Sequence, residues 1–368
     1  MVAIEEQIKA IEEEITRTKY NKKTEAHIGR LKAKLARLQE EAEKRKASKV
    51  GTGKGYAVRK SGMATVALIG FPSVGKSTLL NKITSAKSEV AAYEFTTLTC
   101  IPGLLLHRNA KIQILDLPGI IRGASSGKGR GKEVIAVART SDMVLFMLDP
   151  FEPHIDVLVQ ELYFAGIRLN QKPPQIFIKR TPKGGIVINT TVRLTKLSEA
   201  AIRDILQEYG IVSANVVIRE DIDMDQLIDS LVPQSRYYLK AIVALNKVDL
   251  AMPEIIEQAR QKLSGWKVVE ISADKEKNLD VLKDAIFDAL DFIRVYLKPQ
   301  GGEADMKEPL VIKGGSTVGD VCDALHRDFR AKFRYAQIWG KSAKFPGQTI
   351  GIDHTLVDED ILTIIIRK

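Results

Sequence analysis

Cysteine is nearly absent: Cys100 and Cys322 are the only two in 368 residues and lie far apart in the chain. Neither a disulfide framework nor a cysteine-based zinc site is expected from such a pair, and a reducing cytoplasm is the setting that fits. Long apolar runs are missing too. No stretch approaches the roughly 18 apolar residues of a membrane span, and the N-terminus opens on Glu and Lys rather than an apolar signal core. A soluble cytoplasmic protein with no membrane attachment is therefore expected. Nor does any internal repeat mark a solenoid.

What is present is base in excess. Lys and Arg number 56 against 46 Asp and Glu, a formal net charge of +10. Such a surface favours acidic partners such as RNA, ribosomes or anionic membrane, as a bias rather than an identification. The 45% hydrophobic content supports packed cores, and the length suggests two to three domains.

Residues 1–47 carry Ile4, Ile8, Ile11 and Ile15, then Ile28, Leu31, Leu35 and Leu38, at helical spacing. This predicts two helices, broken near 20–26, that fold back as a hairpin or lie on another surface, and the pair reads as either a solvated prop or a partner-binding arm. Residues 48–62 are rich in Lys, Arg and Gly without an apolar face and read as a basic linker, either a tether or a phosphate contact. Beyond Met63, apolar runs at 65–69, 112–115, 144–148, 242–245 and 268–271 alternate with helical patterns, as in a buried parallel α/β sheet. That domain is expected over 63–164 and 240–298. The gap at 165–239 is longer than one crossover helix needs. Its own strands at 175–178, 186–189 and 216–219, and a helix at 198–208, predict an inserted α+β subdomain. After Pro299-Gln300-Gly301-Gly302 a strand at 310–312, a helix at 318–329 and a strand at 361–366 predict a small α+β domain over 303–368.

Gly70-Phe71-Pro72-Ser73-Val74-Gly75-Lys76-Ser77 matches G-x-x-x-x-G-K-[ST]. It follows a predicted strand and precedes the helical stretch that begins at Thr78, the context the motif requires. Backbone N–H groups made convergent by the glycines suit a phosphate at a helix N-terminus, Lys76 suits the β- and γ-oxygens, and the Ser77 hydroxyl suits Mg²⁺. A phosphate loop alone leaves ATP and GTP open, so a kinase or ATPase must be weighed against a GTPase. Asn246-Lys247-Val248-Asp249, at the end of the strand 242–245, favours guanine: the Asp249 carboxylate can accept from N1–H and the 2-amino group, a pair adenine lacks. Ser272-Ala273, after the next strand, is placed to present a backbone N–H to the guanine O6.

Asp116-Leu117-Pro118-Gly119 closes the strand 112–115, so Asp116 can hold a water on Mg²⁺ while the Gly119 N–H faces the γ-phosphate. Upstream, Tyr93-Glu94-Phe95-Thr96-Thr97 lies where a hydroxyl must complete the Mg²⁺ shell. That role falls to Thr97, so Ser77 and Thr97 are the expected metal-contacting residues, and Lys76, Thr97 and Gly119 the residues expected to act in hydrolysis.

These motifs together resemble the Obg-related GTPases, specifically the developmentally regulated GTP-binding (DRG) branch, almost end to end. The helical pair is similar to that branch's hairpin, and the insert to its ribosomal-protein-like subdomain. The C-terminal segment, with Gly315-Ser316-Thr317-Val318-Gly319-Asp320-Val321 and Phe345-Pro346-Gly347-Gln348, is similar to a TGS domain, a β-grasp module. The resemblance implies GTP and GDP as ligands with Mg²⁺, slow GTP hydrolysis, association with ribosomes or RNA in translation, and in some relatives a dedicated partner protein. An RNA- or ribosome-binding module that uses GTP structurally, with negligible turnover, is the alternative. Two positions bear on mechanism. Ile120 stands where Ras-like proteins place the water-orienting Gln, and it cannot orient a water. Ser73 stands where some relatives place an Asn that helps hold K⁺, so K⁺ dependence stays open. Arg122 or Arg130 in cis, or a residue supplied in trans, are alternatives for stabilising charge; no general base is nominated. The basic segment with Arg327, Arg330, Lys332, Arg334, Lys341 and Lys344 among Phe329, Phe333, Tyr335 and Trp339 is either an RNA contact or a β-grasp core with solvated charges.

Overall fold

The computed structural model describes residues 2–19, 24–49, 62–84, 101–117 and 131–367. The chain forms two compact units, Met1–Gly55 with Gly166–Tyr238, and Tyr56–Ala165 with Leu239–Lys368.

The second unit contains the P-loop sheet. Its strands run in the order Val268–Glu270, Tyr237–Leu245, Met143–Leu148, Ala64–Ile69, Ala110–Asp116, Ile101–His107. Every neighbouring pair is parallel except the last, Ile101–His107 against Ala110–Asp116. Ala64–Ile69 and Met143–Leu148 are buried at every residue, which is why they read as unbroken apolar runs rather than alternating ones. Helices Lys76–Ile83 and Leu279–Ala289 contribute Leu79, Leu80, Ile83, Leu282 and Ile286 to one core with the sheet residues Val66, Leu68, Ile112 and Leu145.

A five-stranded sheet follows in the order Leu310–Lys313, Phe292–Leu297, Asp360–Ile366, Phe333–Trp339, Gln348–Ile350. Phe292–Leu297, which the sequence leaves on the near side of the 299–302 break, is bonded into this sheet antiparallel to Leu310–Lys313 and parallel to Asp360–Ile366. No Pro or Gly precedes it. The chain turns instead at Asp291, held at φ 55°. The helix expected over 318–329 ends at Leu325, where His326 is extended (φ −162°, ψ 137°), and a separate turn Phe329–Lys332 follows. Phe329 and Phe333 pack on the C-terminal core. Arg330 pairs with Asp320 and Asp323 at 3.8 and 3.3 Å, and Lys341 with Glu359 at 3.5 Å. Of the two readings of this segment, those contacts favour the core.

In the first unit, Ile176–Arg180, Ala214–Ile218 and Ile186–Thr190 form a three-stranded sheet with Ala214–Ile218 in the centre. One face packs on helices Glu199–Glu208 and Met224–Leu231. Ile28, Ala33 and Ala36 of helix Glu25–Lys49 enter the same core beside Ile202, Ile205 and Leu227, so that helix is a packed element rather than a solvated prop. Lys32 and Asp225 join at 2.9 Å, and Ser198 donates to Glu25 at 2.7 Å. Asp229 accepts from Arg168 at 2.6 and 2.8 Å and from Arg236 at 2.5 Å, so the buried charges are both paired and hydrogen-bonded. Among the described residues no helix is long and apolar enough to cross a membrane.

Candidate nucleotide site

The loop 70–75 joins the buried strand Ala64–Ile69 to the helix Lys76–Ile83. Two of its glycines are dictated by space. A Cβ on Gly70 would sit 2.3 Å from the Met147 carbonyl oxygen, and one on Gly75, itself at φ 99°, would sit 2.6 Å from Asn246 Nδ2. Ser73 also lies at positive φ, 62°. The helix has Gly75 as its N-cap with no side-chain cap, so the first-turn N–H groups at Lys76, Ser77 and Thr78 are not taken by a capping oxygen. Phe71 is half-buried with its ring edge-on to His154 at 6.4 Å, Pro72 and Ser73 are exposed, and Val74 is buried.

Lys76 is buried and donates to the carbonyls of Gly70 and Phe71 at 3.0 and 2.8 Å. Burial lowers its pKa, and the nearby Asp116 charge opposes the shift. Ser77 Oγ donates to Asp116 Oδ2 at 2.7 Å, which ties the helix to the end of the strand Ala110–Asp116. Leu117, fully buried, continues that strand by donating to the Leu68 carbonyl at 3.3 Å. The sheet thus brings together the phosphate loop and the acidic strand end, although 39 residues separate Ser77 from Asp116.

On the other side, Asn246 is buried and braces two loops at once. Its Nδ2 donates to the Val74 carbonyl at 2.8 Å, and its Oδ1 accepts from the Ala273 N–H at 2.9 Å. Lys247 turns the chain at φ 62°, and its ammonium lies 3.6 Å from Asp149. Val248 is buried and donates to Ile271 at 3.3 Å, while Leu250 closes a turn onto Lys247 at 3.0 Å. Asp249 is thereby left exposed to solvent. Ser272 and Ala273 are buried. Ser272 exchanges backbone bonds with Lys277, and its Oγ accepts from Lys275 N–H at 3.1 Å. Thr97, Pro118, Gly119 and Ile120 lie outside the described residues, as do Thr96, Arg122 and Arg130.

The sequence did not single out the bracing by Asn246 or the anchoring of Lys247 by Asp149. Asp149 directly follows its strand and Asp116 ends its own, and an acidic residue at the C-terminal end of a parallel strand is a signal that can find both. Also missed was the tip of the hairpin that joins the Thr97 segment to Asp116. Arg108 and Asn109 turn it at φ 46° and 65°. Arg108 and His107 each reach Asp284 at 2.7 Å, Arg108 lies over the Phe287 ring at 5.4 Å, and Asn109 donates to the Lys307 carbonyl at 3.2 Å. The hydrogen bond from His107 is the main reason the Asp284 carboxyl titrates below its ordinary range.

A family profile described as "50S ribosome-binding GTPase" matches residues 65–180, its C-terminal extension matches 183–292, and a TGS domain matches 293–366. An uncharacterized GTP-binding protein of Methanocaldococcus jannaschii is 55% identical, covering 100% of this chain and 94% of its own length. The developmentally-regulated GTP-binding protein 2 homolog of Dictyostelium discoideum is 47% identical over 99% of this chain and 100% of its own. Developmentally-regulated G-protein 2 of Arabidopsis thaliana is 46% identical over 100% and 92%.

Proposed function

The chain belongs to the developmentally regulated GTP-binding branch of the Obg-related GTPases, with a TGS domain, and from that premise we propose that it is a slow GTP-driven switch acting on ribosomes or RNA in translation. The observation that carries the nucleotide half of this reading is the double brace of Asn246. One amide fixes the phosphate loop at Val74 and the base-side loop at Ala273, so the two ends of a nucleotide meet groups held to a common strut.

In this reading the N–H groups from Gly70 to Thr78 hold the phosphates and Lys76 moves from the Gly70 and Phe71 carbonyls to the phosphate oxygens. Asp249 reads guanine, and the loops 246–249 and 272–273 hold it in plane. Ser77 Oγ is a hard oxygen donor of the kind Mg²⁺ takes, and Asp116 Oδ2, 2.7 Å from it beside the loop, would hold a water on the ion. Water and phosphate oxygens would complete the Mg²⁺ shell. When bound the ion neutralises charge developing on the phosphates. Thr97 is the second protein oxygen assigned to it, and the Gly119 N–H meets the γ-phosphate. With Ile120 in place of a water-orienting Gln, the chain lacks the side chain that speeds hydrolysis in Ras-like proteins, which supports a slow intrinsic rate. Ser73 leaves K⁺ stimulation to be measured.

The ribosome half rests on the family profile's description over residues 65–180 and on the +10 net charge. The hairpin tip supplies a route from nucleotide to C-terminal module. Both of its ends lead into the segments that carry Thr97 and Gly119, while Arg108 and Asn109 grip Leu279–Ala289 and Lys307. Arg108→Ala is expected to lower stability in a thermal melt by about 1 kcal/mol, the scale of a half-exposed ion pair with a cation–π contact. GDP affinity by calorimetry should stay within about twofold.

Turnover measured with Mg²⁺ in K⁺ and in Na⁺, with and without ribosomes, tests the switch. Ribosomes or K⁺ are expected to raise hydrolysis above the intrinsic rate. If neither does, GTP is a structural ligand of a binding module and the switch reading is wrong.

A further inference from the structure

The three-stranded sheet of the first unit covers its core with one face only. Ile176, Ile178, Ile186, Ile188, Val216 and Ile218 point into that core. The alternate residues form two cross-strand rows on the opposite face. Phe177, Val217 and Asn189 make one row, Lys179, Asn215 and Val187 the other. Phe177 is 57% exposed and Val187 45%, and Lys179, Asn189 and Asn215 are exposed as well. The guanidinium of Arg219 lies over the Phe177 ring, 5.1 Å from its centroid.

An exposed Phe on a sheet that could have carried Thr or Lys there is a cost in solubility, and the groups around it show what it suits. A protein-binding patch depletes charge at its centre. Here the ring is flanked by Arg219 and Lys179, and two asparagines beside it offer both donors and acceptors. Arg180, which ends the same strand, and Lys183, in the loop that follows it, are exposed as well. The two acids that follow Arg219 in the chain are engaged locally: Glu220 accepts from Gln175 N–H at 2.8 Å, and Asp221 accepts from the Thr195 backbone and hydroxyl at 2.8 and 2.5 Å. Aromatic rings on an open sheet stack unpaired bases, amide side chains bond base edges, and adjacent cations meet the backbone phosphates. A duplex would hide its bases from such a surface.

We propose that the open face of this sheet, centred on Phe177 and Arg219, is a platform for single-stranded RNA. It gives the RNA-directed reading above, on which it rests, a defined surface within the first unit. The full-length chain is titrated into a short fluorescein-labelled oligouridylate, and anisotropy is followed over a range of salt concentrations. Phe177→Ala is expected to weaken binding about tenfold with the salt dependence unchanged, whereas Phe177→Trp retains it, as stacking requires. Lys179→Ala, an equally exposed position, should weaken binding and reduce the salt slope by about one. GTP turnover should be unaltered in all three variants. Wild-type affinity in Phe177→Ala and Lys179→Ala overturns the platform but leaves the RNA reading standing. If the wild-type chain does not bind the oligonucleotide, the platform is overturned as well, and cosedimentation with ribosomes then decides whether the broader reading survives.

Discussion

Asp249→Asn is expected to lower GDP affinity about a thousandfold and to bring xanthosine diphosphate into the affinity range that GDP has lost. The expectation follows from donor and acceptor matching. The carboxylate of Asp249 accepts two hydrogen bonds from guanine, at N1–H and the 2-amino group. An Asn in its place turns one acceptor into a donor that faces the amino group. Loss of one charge-assisted bond at roughly 2 kcal/mol, loss of charge from the other, and a donor set against the amino group together make about 4 kcal/mol, or close to three decades. Xanthine carries a carbonyl where guanine carries the amino group, so the Asn N–H₂ regains a partner. The position suits such a swap. Asp249 is exposed at the end of a turn fixed by Lys247 at φ 62° and by the Leu250-to-Lys247 bond. The substitution therefore leaves the core alone, and an unchanged thermal melt would accompany the altered preference. Calorimetric titration with both nucleotides reads the outcome. Retained GDP affinity would mean that another group reads the base.

Asn246→Ala should damage binding and stability together. Its amide is the only side chain described that bonds both the Val74 carbonyl and the Ala273 N–H, and it is buried. Truncation strands two buried backbone groups, each costing roughly 1–3 kcal/mol, for about 2–6 kcal/mol of folding free energy. Gly75 makes relief difficult: its left-handed backbone, packed against the Asn246 amide, gives the loop no easy route to a new partner. Nucleotide affinity should fall at least tenfold, because the phosphate and base loops lose their shared brace. Asn246→Asp is expected to be worse than Ala, since a carboxylate oxygen would face the Val74 carbonyl. A melt and a GDP titration of the two variants check both statements. Near-wild-type behaviour in Ala would show that the loops hold their places unaided.

The parts of this fold that were legible in the sequence are those set by local rules. The phosphate loop announces itself because glycines at 70 and 75 are demanded by contacts a few ångströms away, and the buried strands announce themselves as apolar runs. What escaped depends on distant partners. Helix Glu25–Lys49 has apolar positions that fit a hairpin or another surface alike, and only its meeting with Ile202 and Ile205, some 170 residues on, shows which core it joins. Phe292–Leu297 was obscured because a single Asp at positive φ breaks the chain before it, where Pro or Gly is the usual punctuation. Ile101–His107 contains Pro102 and Gly103, which speak against a strand, yet it occupies a sheet edge where both are tolerated. In the site, the motif letters named Asn246, but its task is to bond two loops separated by 199 residues of chain, from Val74 to Ala273. The motif does not reveal that task.

Central to the account is a pocket that grips a diphosphate and selects guanine. Calorimetry of the purified chain with Mg²⁺, titrating GDP and ADP in parallel, tests it most directly. Tight binding of GDP with ADP weaker by three decades or more is the predicted result. Equal affinity for the two purines, or no binding of GDP, would contradict it.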